Sequence, residues 1–340
     1  MGRIWLRDVA EAAGVSVSAA SHAVNRTGTL AEATRARILR TAEELGYERD
    51  PVLSGIAARR FQRRNAKAYL PVGMLSMVTG NERLREMQEF PLDLARETGK
   101  RFGIQLLDPV IVEGVREAER QLGQWYRRGV EGILIGSAET SAVFASESWD
   151  PFTVLGIGDI PVPFPFHKVE TDWGHSVRVC YEKLWAAGCR KIGITLIGKT
   201  DCTHQDKVRL GAFLSEGHLR GGADLVPPLF LDPPGSKSEI LDWYAAHKPD
   251  GWITWPLHPV YNLMEAGVRI PGDLKVALLH INEEIHWYKN MAGMHNDPGP
   301  LMEQRMRLFH DQLRHTERGR PRHPLTHRIQ LQWRDGWTLA

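Results

Sequence analysis

The feature that most restricts the possible folds of this chain is a pair of short helical runs joined by one glycine. LRDVAEAA places Leu6, Val9 and Ala10 on one side of a helix, and GVSVSAASHAVN follows from Gly14. The second run has small residues on the side that must pack, and Ser16 stands where an N-cap is expected. Two helices joined by a tight glycine turn form the helix-turn-helix pattern, whose second helix enters the DNA major groove. An ordinary helix pair in a globular protein is the alternative.

A third helix and the start of a fourth follow directly. TLAEATRARILRTAEELGY predicts a helix that begins with a capping box between Thr29 and Glu32 and ends at Gly46. Its apolar face would consist of Ile38, Ala42 and Leu45. Asp50 and Pro51 then read as an N-cap and a first helical residue, which predicts a very short fourth helix. Three helices of this size can bury one small core.

Three runs together resemble the headpiece and hinge of the LacI/GalR family of bacterial transcriptional regulators. They are WLRDVAEAAGVSVSAASHAVN, EATRARILRTAEELGY and DPVLSGIAARR. The resemblance implies a repressor that binds a pseudo-palindromic operator as a homodimer, with the hinge helices in the minor groove. Ile56 matches the family's leucine wedge between base pairs. Gly55 weakens so short a helix by roughly 1 kcal/mol, so we expect it to order only on DNA. The residues assigned to DNA contact are Arg7, Ser16, Val17, Ser18, Ser21, His22, Asn25, Ile56, Arg59 and Arg60.

The second helix also differs from the family at positions where certain residues are common. Ala19 and Ala20 stand where threonine and valine are common, and His22 stands where an arginine is common. A neutral histidine makes one directed hydrogen bond to a base edge, whereas arginine can hold guanine with two. The operator of better-known relatives is therefore not expected to transfer to this chain.

Charge is distributed unevenly along the chain. The net charge is only +2, but residues 1–65 hold eleven arginines against seven acidic residues. The run Arg59, Arg60, Arg63, Arg64 and Lys67 contains no acid. A charge run is usually a solvated face, but after a helix-turn-helix it favours contact with DNA phosphates.

Cysteine and histidine usage points to the cytoplasm and away from metal chemistry. Three cysteines, Cys180, Cys189 and Cys202, are odd in number and lack metal-site spacing, which favours free thiols in a reducing compartment. None of the fourteen histidines falls in an HExxH arrangement. No signal-peptide core or membrane-length apolar run is evident. We expect a cytoplasmic protein that contacts no membrane and holds no metal or cofactor.

From Tyr69 onward, apolar strands alternate with amphipathic helices. Four runs read as strands: YLPVGMLSMV, FGIQLLDPV, GILIGS and FTVLGIG. Helical runs separate them, and one of these helices is predicted near 141–148. Pro91 should break or kink another. This alternation predicts a parallel sheet with helices on both faces. A second set of units follows the proline-rich IPVPFPFHK, and VETDW, RLGAF and VRIPGDLKVALL resemble landmarks of the family's body.

The resulting fold class is α plus α/β. A three-helix headpiece with a hinge helix precedes a two-lobed body like the type I periplasmic binding proteins. The predicted ranges are 1–48 for the headpiece, 49–67 for the hinge and linker, and 68–340 for the effector-binding and dimerisation body. Within the body, the N-lobe would take about 68–158 and 290–320, and the C-lobe about 159–289 and 321–340.

No catalytic site is predicted. GITLIGKT, from Gly193 to Thr200, matches the P-loop string, but its four middle residues read as a strand, whereas a P-loop needs its strand before the first glycine. LGIGDIP lacks the third glycine of a dinucleotide fingerprint. We expect no enzyme; a two-lobed solute-binding protein or an enzyme with a degenerate headpiece is the alternative.

The resemblance implies that a small molecule in the interlobe cleft shifts the dimer between two geometries. Arg209 matches the family's ligand-contacting arginine and would suit a polyhydroxyl or carboxylate ligand. Two acidic landmarks are replaced: Trp255 lies near one, and either His280 or Asn282 could take the place of the other. The tryptophans 173, 252 and 255 could stack on a sugar or simply fill the core. A sugar is the implied ligand, with another metabolite or loss of ligand control as alternatives. The residues assigned to the effector are Asp172, Arg209, Trp255, His280 and Asn282.

Overall fold

The computed structural model describes Ile4 and residues 6–24, 30–45, 47, 69–78, 91–158, 160, 162–198, 204–220, 225–232, 235–281 and 290–340. The chain divides into two compact units. One consists of Met1–Ala68 with Arg314–Thr316, and the other of Tyr69–Leu313 with Glu317–Ala340. The predicted hinge helix lies outside the described residues and stays a prediction.

The first unit contains the predicted helix-turn-helix. Helices α1, α2 and α3 span Leu6–Ala12, Val17–Val24 and Glu32–Glu44. Gly14 in the turn has a φ of +63°, a left-handed conformation that glycine adopts without a Cβ penalty. The Ser16 hydroxyl accepts a hydrogen bond from the backbone N–H of Ala19 at 3.1 Å, so Ser16 caps α2 as predicted.

The three helices bury one small core of alanine and branched aliphatic side chains. It consists of Val9, Ala10, Ala13, Ala20, Ala23, Ile38 and Ala42. Two predicted details of α3 are wrong. The helix is capped by Ala31 without a side-chain hydrogen bond, and Glu32 is its first residue, so Glu32 cannot close a capping box from the third position. Leu45 follows the end of the helix and is exposed, because the apolar face stops with Ala42.

A mostly buried parallel sheet forms the first half of the body. Its strands follow the order β12-β6-β5-β4-β1-β2, and β3 also pairs with β1. Along β1, Leu75 and Met77 face one core while Val72 and Met74 face the other, so helices cover both sides as the alternation predicted. The strands are β1 Leu70–Met77, β2 Ile104–Leu106, β3 Val110–Val112, β4 Gly132–Ala138, β5 Thr153–Gly156, β6 His167–Thr171 and β12 Thr326–Ile329.

Helices α4 Leu92–Arg101, α5 Val115–Arg127 and α10 Pro298–His315 pack on this first sheet. Pro91 is the N-cap of α4, so this helix begins directly after the proline, and the part of the predicted helix before Pro91 lies outside the described residues. The helix predicted near 141–148 is instead two 3₁₀ turns, Ser141–Ala145 and Glu147–Trp149. Ser146 divides them because its extended backbone cannot continue a helix.

The second half of the body is another sheet, with strands in the order β13-β11-β10-β9-β7-β8. Its pairs are parallel except that β13 runs antiparallel to β11. The strands are β7 Ile192–Ile197, β8 Leu229–Leu231, β9 Gly251–Thr254, β10 Lys275–Ile281, β11 Gly293–His295 and β13 Gln332–Arg334. The accompanying helices are α6 Trp173–Ala186, α7 His204–Leu219, α8 Lys237–His247 and α9 His258–Glu265.

The chain crosses between the two sheets three times, each time later than the predicted lobe boundaries. It leaves the first sheet after β6, returns between β11 and α10, and leaves again between β12 and β13. The expected boundaries near 159, 290 and 321 come too early in the chain. In each case one more strand, β6, β11 or β12 respectively, still pairs with the sheet that the chain then leaves. The crossings bring the ends of β6, β11 and β12 to the region between the lobes.

Candidate functional sites

The exposed side of α2 is the first candidate site. Val17 and His22 are exposed there, while Ala20 and Ala23 on the opposite side are fully buried. Arg7 on α1 is also exposed, Ser21 is half-buried, and Ser16 uses its hydroxyl as the helix cap. The described structure does not include Asn25, Ile56, Arg59 or Arg60, nor the side chain of Ser18.

This surface suits a groove of DNA in shape and chemistry. A short helix whose buried side carries only small residues packs closely on its neighbours and exposes its other face, as a helix that enters a groove must. Val17 can contact a thymine methyl group, and His22 can exchange one hydrogen bond with a base edge. The four DNA-contact residues of the hinge and helix end that lie outside the described ranges remain predictions.

The second candidate site is a pocket between the two lobes of the body. The space between its walls is about 400 Å³, which includes open solvent at its mouth. The first lobe provides residues at the ends of β5, β6 and β12, and the second provides the N-terminal turns of α6 and α7. The lining residues are Gly158, Ile160, Glu170, Thr171, Asp172, Trp173, His204, Gln205, Val208 and Arg328.

Arg209 is the centre of a buried cluster next to this pocket. Its guanidinium carbon lies 4.3 Å from the centroid of the Trp173 ring and 6.0 Å from that of Trp255. Its Nη1 donates to Oδ1 of Asp206 at 2.8 Å, one helical turn earlier on α7. The ion pair and the ring face hold the guanidinium in one orientation, as a positioned ligand-binding group requires.

His280, at the end of β10, joins this cluster from the second sheet. Its ring centroid lies 6.2 Å from that of Trp173, and its Nε2 is 2.7 Å from Nδ2 of Asn296. Burial, with a smaller contribution from the charge of Arg209, lowers the pKa of His280 to about 4. His280 is therefore neutral at physiological pH and can act as a hydrogen-bonding group.

Two polar atoms on neutral side chains of the cluster are buried without a hydrogen-bond partner among the described residues. They are the indole Nε1 of Trp255, a donor, and the Oδ1 of Asn296, an acceptor. Burying such groups unpaired costs free energy, so sites of this kind in native proteins call for a water or ligand partner.

The structure brings together three of the five residues assigned to the effector, namely Arg209, Trp255 and His280. Asp172 lies in the pocket wall, where its Oδ1 accepts from the backbone N–H of His175 at 2.9 Å as the N-cap of α6. Asn282 lies outside the described residues. Of the three tryptophans considered, Trp252 is fully buried in the core beside Trp243, whereas the other two flank Arg209.

Sequence reasoning missed Asp206, Asn296 and Arg328. The i,i+3 spacing of Asp206 and Arg209 on a helix was a usable signal for the ion pair. Asn296 and Arg328 carry no local signal, because each reaches the site only through the crossing of the chain between sheets.

Lys168, Glu170 and Arg328 form a further ion-pair group beside the pocket. The Glu170 carboxylate lies 2.7 Å from Nζ of Lys168 and 3.0 Å from Nε of Arg328. Burial acts to raise the pKa of Glu170, but the hydrogen bonds and charges of Lys168 and Arg328 lower it overall.

The segment GITLIGKT, which matches the P-loop sequence pattern, begins within a strand, as its residues predicted. Ile194 to Ile197 lie within β7, and the strand begins at Ile192, before the first glycine of the string. The exposed amide loop that cradles phosphate is thus replaced by strand hydrogen bonds to β8 and β9.

In the described ranges no group of three or more His, Cys, Asp or Glu could hold a metal ion. Nor does any helix there combine the length and apolar character needed to cross a membrane.

The depressed pKa of His280 predicts a pH-dependent stability. The unfolded chain binds a proton at its ordinary value of 6.5, whereas the folded protein binds it only near pH 4. The free energy of unfolding should therefore fall as the pH drops through this window, by up to roughly 3 kcal/mol from this residue. Denaturant unfolding of wild type and His280→Asn across pH 4 to 7 measures it. Equal pH dependence in both proteins would contradict the prediction, since His167 and His258 titrate in both.

Known proteins are similar to this chain in its N-terminal unit and in its body. Residues 5–50 match the family model described as bacterial regulatory proteins, lacI family. The HTH-type transcriptional regulator GalR of Streptococcus thermophilus is 26% identical over 291 residues, which cover 80% of this chain and 81% of that protein.

Solved structures share the whole architecture at low identity. A transcriptional regulator CelR–cellobiose complex has a TM-score of 0.60 and 18% identity, over 99% of this chain and 100% of that one. The lac repressor dimer bound to operator and the anti-inducer ONPF also has a TM-score of 0.60 and 18% identity, over 100% of both chains. The predicted fold class is confirmed. Residues 5–50 therefore resemble bacterial regulatory proteins of the lacI family, and over most of its length the chain is similar to transcriptional regulators whose fold it shares.

Proposed function

We propose that this regulator binds a pseudo-palindromic operator as a homodimer, inserts α2 into the major groove, and acts as a repressor whose DNA affinity is changed by a small molecule in the interlobe cleft. The observation that carries the proposal is the division of α2 into a buried alanine side and an exposed side with Val17 and His22. This division lies within the segment that matches the lacI family.

Two relatives support the partners that we propose. The lac repressor is described as a dimer bound to operator, and CelR as a complex with cellobiose. The pocket between the lobes, with Arg209 close to two tryptophan rings beside it, supports a ligand in the cleft of this chain. We further propose that the chain catalyses no reaction and works in the cytoplasm, in keeping with relatives that are regulators.

Selection from random DNA duplexes with the full-length protein tests the central claim. We expect an enriched palindrome whose two half-sites are related by the dimer axis, with affinity that falls steeply as salt rises because phosphate contacts release counterions. Failure to enrich any palindrome would overturn the proposal. Binding that is equally tight to all sequences would also count against it, because a basic surface alone binds in that manner.

Substitution of His22 tests whether α2 reads the bases. His22→Ala should weaken binding to the selected operator by about 1–3 kcal/mol and relax preference at one position of each half-site. The matched control is Glu44→Ala, an exposed change at the end of α3. Competition binding on single-base operator variants measures both proteins. An unchanged preference profile in His22→Ala would exclude this residue as a base contact.

A further inference from the structure

The connection between α10 and β12 carries a local excess of positive charge. Residues 314–323, called the basic segment below, hold four arginines and two histidines against a single acid, Glu317. Arg314 lies in the last turn of α10, where the helix dipole favours a cation. The other three arginines follow the end of the helix, so the dipole does not account for them.

Two arginines fix the basic segment on the first lobe. Nη2 of Arg318 lies 3.0 Å from Oε2 of Glu131, which neutralises that carboxylate. Nη2 of Arg320 donates to the carbonyl oxygens of residues 145 and 146, which carry no net charge. Arg320 therefore keeps its positive charge while its position is fixed, and a group held in place loses less entropy when it binds a partner.

These anchors lie at the edge of the first sheet where its strands begin. Glu131 and Phe152 directly precede β4 and β5, and the N–H of Gly319 donates to the Phe152 carbonyl oxygen at 2.9 Å. The N–H of Glu131 in turn donates to the carbonyl oxygen of Pro71, the second residue of β1. Because these strands are parallel, the basic segment lies at the edge where β1 begins, directly after Tyr69. The chain that comes from the N-terminal unit therefore enters the body at this edge.

The two edges of the first sheet differ in charge. The described connections that follow β2, β3 and β4 contain Asp108, Glu113 and Glu139 and no basic residue. At the other edge, Arg127 and Arg128 at the end of α5 are exposed and add to the charge of the basic segment. A polyanion is therefore favoured at the edge where the strands begin.

DNA is the polyanion that this edge is placed to meet. Arg314 and Arg322 are exposed, and neither has a hydrogen bond or ion pair with another described residue. The planar fork of a guanidinium matches two oxygens of one phosphate. DNA read by α2 is tethered to this edge through the linker that ends at Tyr69, which raises the effective concentration of its phosphates there. An acidic protein or a free phosphate ion has no such tether.

We propose that the basic segment binds the phosphate backbone of the duplex outside the base pairs that α2 reads, through Arg314, Arg320 and Arg322. These contacts add affinity without sequence preference, because the phosphates are the same at every base pair. This inference rests on the DNA-binding part of the proposed function and adds a second contact surface on the body.

Duplexes of two lengths test this contact with the full-length protein. One is trimmed to the selected palindrome, and the other extends it on each side by about one helical turn, roughly 10 base pairs. We expect wild type to bind the longer duplex at least about fivefold more tightly at low salt. The slope of log affinity against log salt should also be steeper by about 0.9 for each added phosphate contact.

The variant Arg314→Gln/Arg322→Gln assigns the contact to the basic segment. It should lose most of the advantage of the longer duplex and keep its affinity for the trimmed one within about twofold, because salt screens distant charges. The matched control Arg116→Gln/Arg120→Gln removes the same charge from exposed positions in the first two turns of α5 and should keep the advantage. Glu317→Gln, which removes the acid of the segment, should increase it.

Several outcomes would overturn the inference. If wild type bound both duplexes equally at low salt, the protein would make no contact outside the palindrome, although operator reading would stay intact. A loss as large in the control as in Arg314→Gln/Arg322→Gln, or a loss in neither, would exclude the basic segment as the contact. If wild type bound neither duplex more tightly than random DNA, the proposed operator binding would itself be wrong, and this inference with it.

Discussion

Replacing Asp206 by alanine is expected to lower the free energy of unfolding of the body by about 3–5 kcal/mol, because it leaves the buried guanidinium of Arg209 without its carboxylate. The two side chains are 2% and 6% exposed, so water cannot take over the lost interaction. Stacking on Trp173 keeps the guanidinium in place and prevents it from reaching solvent. Chemical denaturation of the full-length protein, followed by the fluorescence of the body, measures the loss.

An exposed ion pair provides the control for this result. Glu265 and Lys237 lie 2.8 Å apart with side chains 66% and 50% exposed, and Glu265→Ala should cost less than about 1 kcal/mol. Asp206→Ala/Arg209→Met, which removes both buried charges, should recover much of the stability lost in the single variant. Equal losses in Asp206→Ala and Glu265→Ala would show that Arg209 does not depend on Asp206.

Gly158→Ala is expected to destabilise the body by about 3 kcal/mol, at the upper end of overpacking effects. A Cβ at this position would overlap the carbonyl oxygen of Gly136, and this neighbour is backbone, which cannot rotate away. Gly158 follows β5 and lines the pocket, so the shift that relieves the clash also deforms the cleft. Any ligand bound there should bind more weakly, as calorimetry on the variant would measure.

Gly211→Ala is the matched control for this glycine. Gly211 is exposed within α7, and a Cβ there would meet nothing within 4 Å. The same change of residue should therefore stabilise the protein by up to about 1 kcal/mol through helix propensity. If Gly158→Ala unfolded at the same denaturant concentration as wild type, the close approach to Gly136 would not exist in solution.

The parts of the fold that depend on local sequence were predictable. The Gly14 turn, the Ser16 cap and the alanine side of α2 follow from backbone preferences and helical periodicity over a few residues. The alternation of strands and helices likewise predicted a body of parallel strands. Three local predictions failed: Ala31 and not Thr29 is the cap of α3, Leu45 is exposed, and Ser146 divides the run near 141–148 into two turns.

The candidate cleft was predictable only in part. Arg209, Trp255 and His280 could be assigned because they align with positions that resemblance to the LacI/GalR family marks. Asn296 and Arg328 could not, because they lie far along the chain and reach the site through the second and third crossings between the sheets. The roles of Trp173 and Trp252 were also undecided in the sequence, since either ring could fill a core.

The sequence by itself determined the class of this protein. A helix pair joined at Gly14, capped by Ser16 and packed through alanines, specifies a DNA-reading headpiece because those features act within a few residues of each other. The tertiary structure decided the character of the cleft. The i,i+3 spacing on α7 already places Asp206 beside Arg209, but only the packing of α6 against α7 buries this ion pair and brings the Trp173 ring onto the guanidinium. Burial depends on neighbours in space, and the linear order of residues does not contain it.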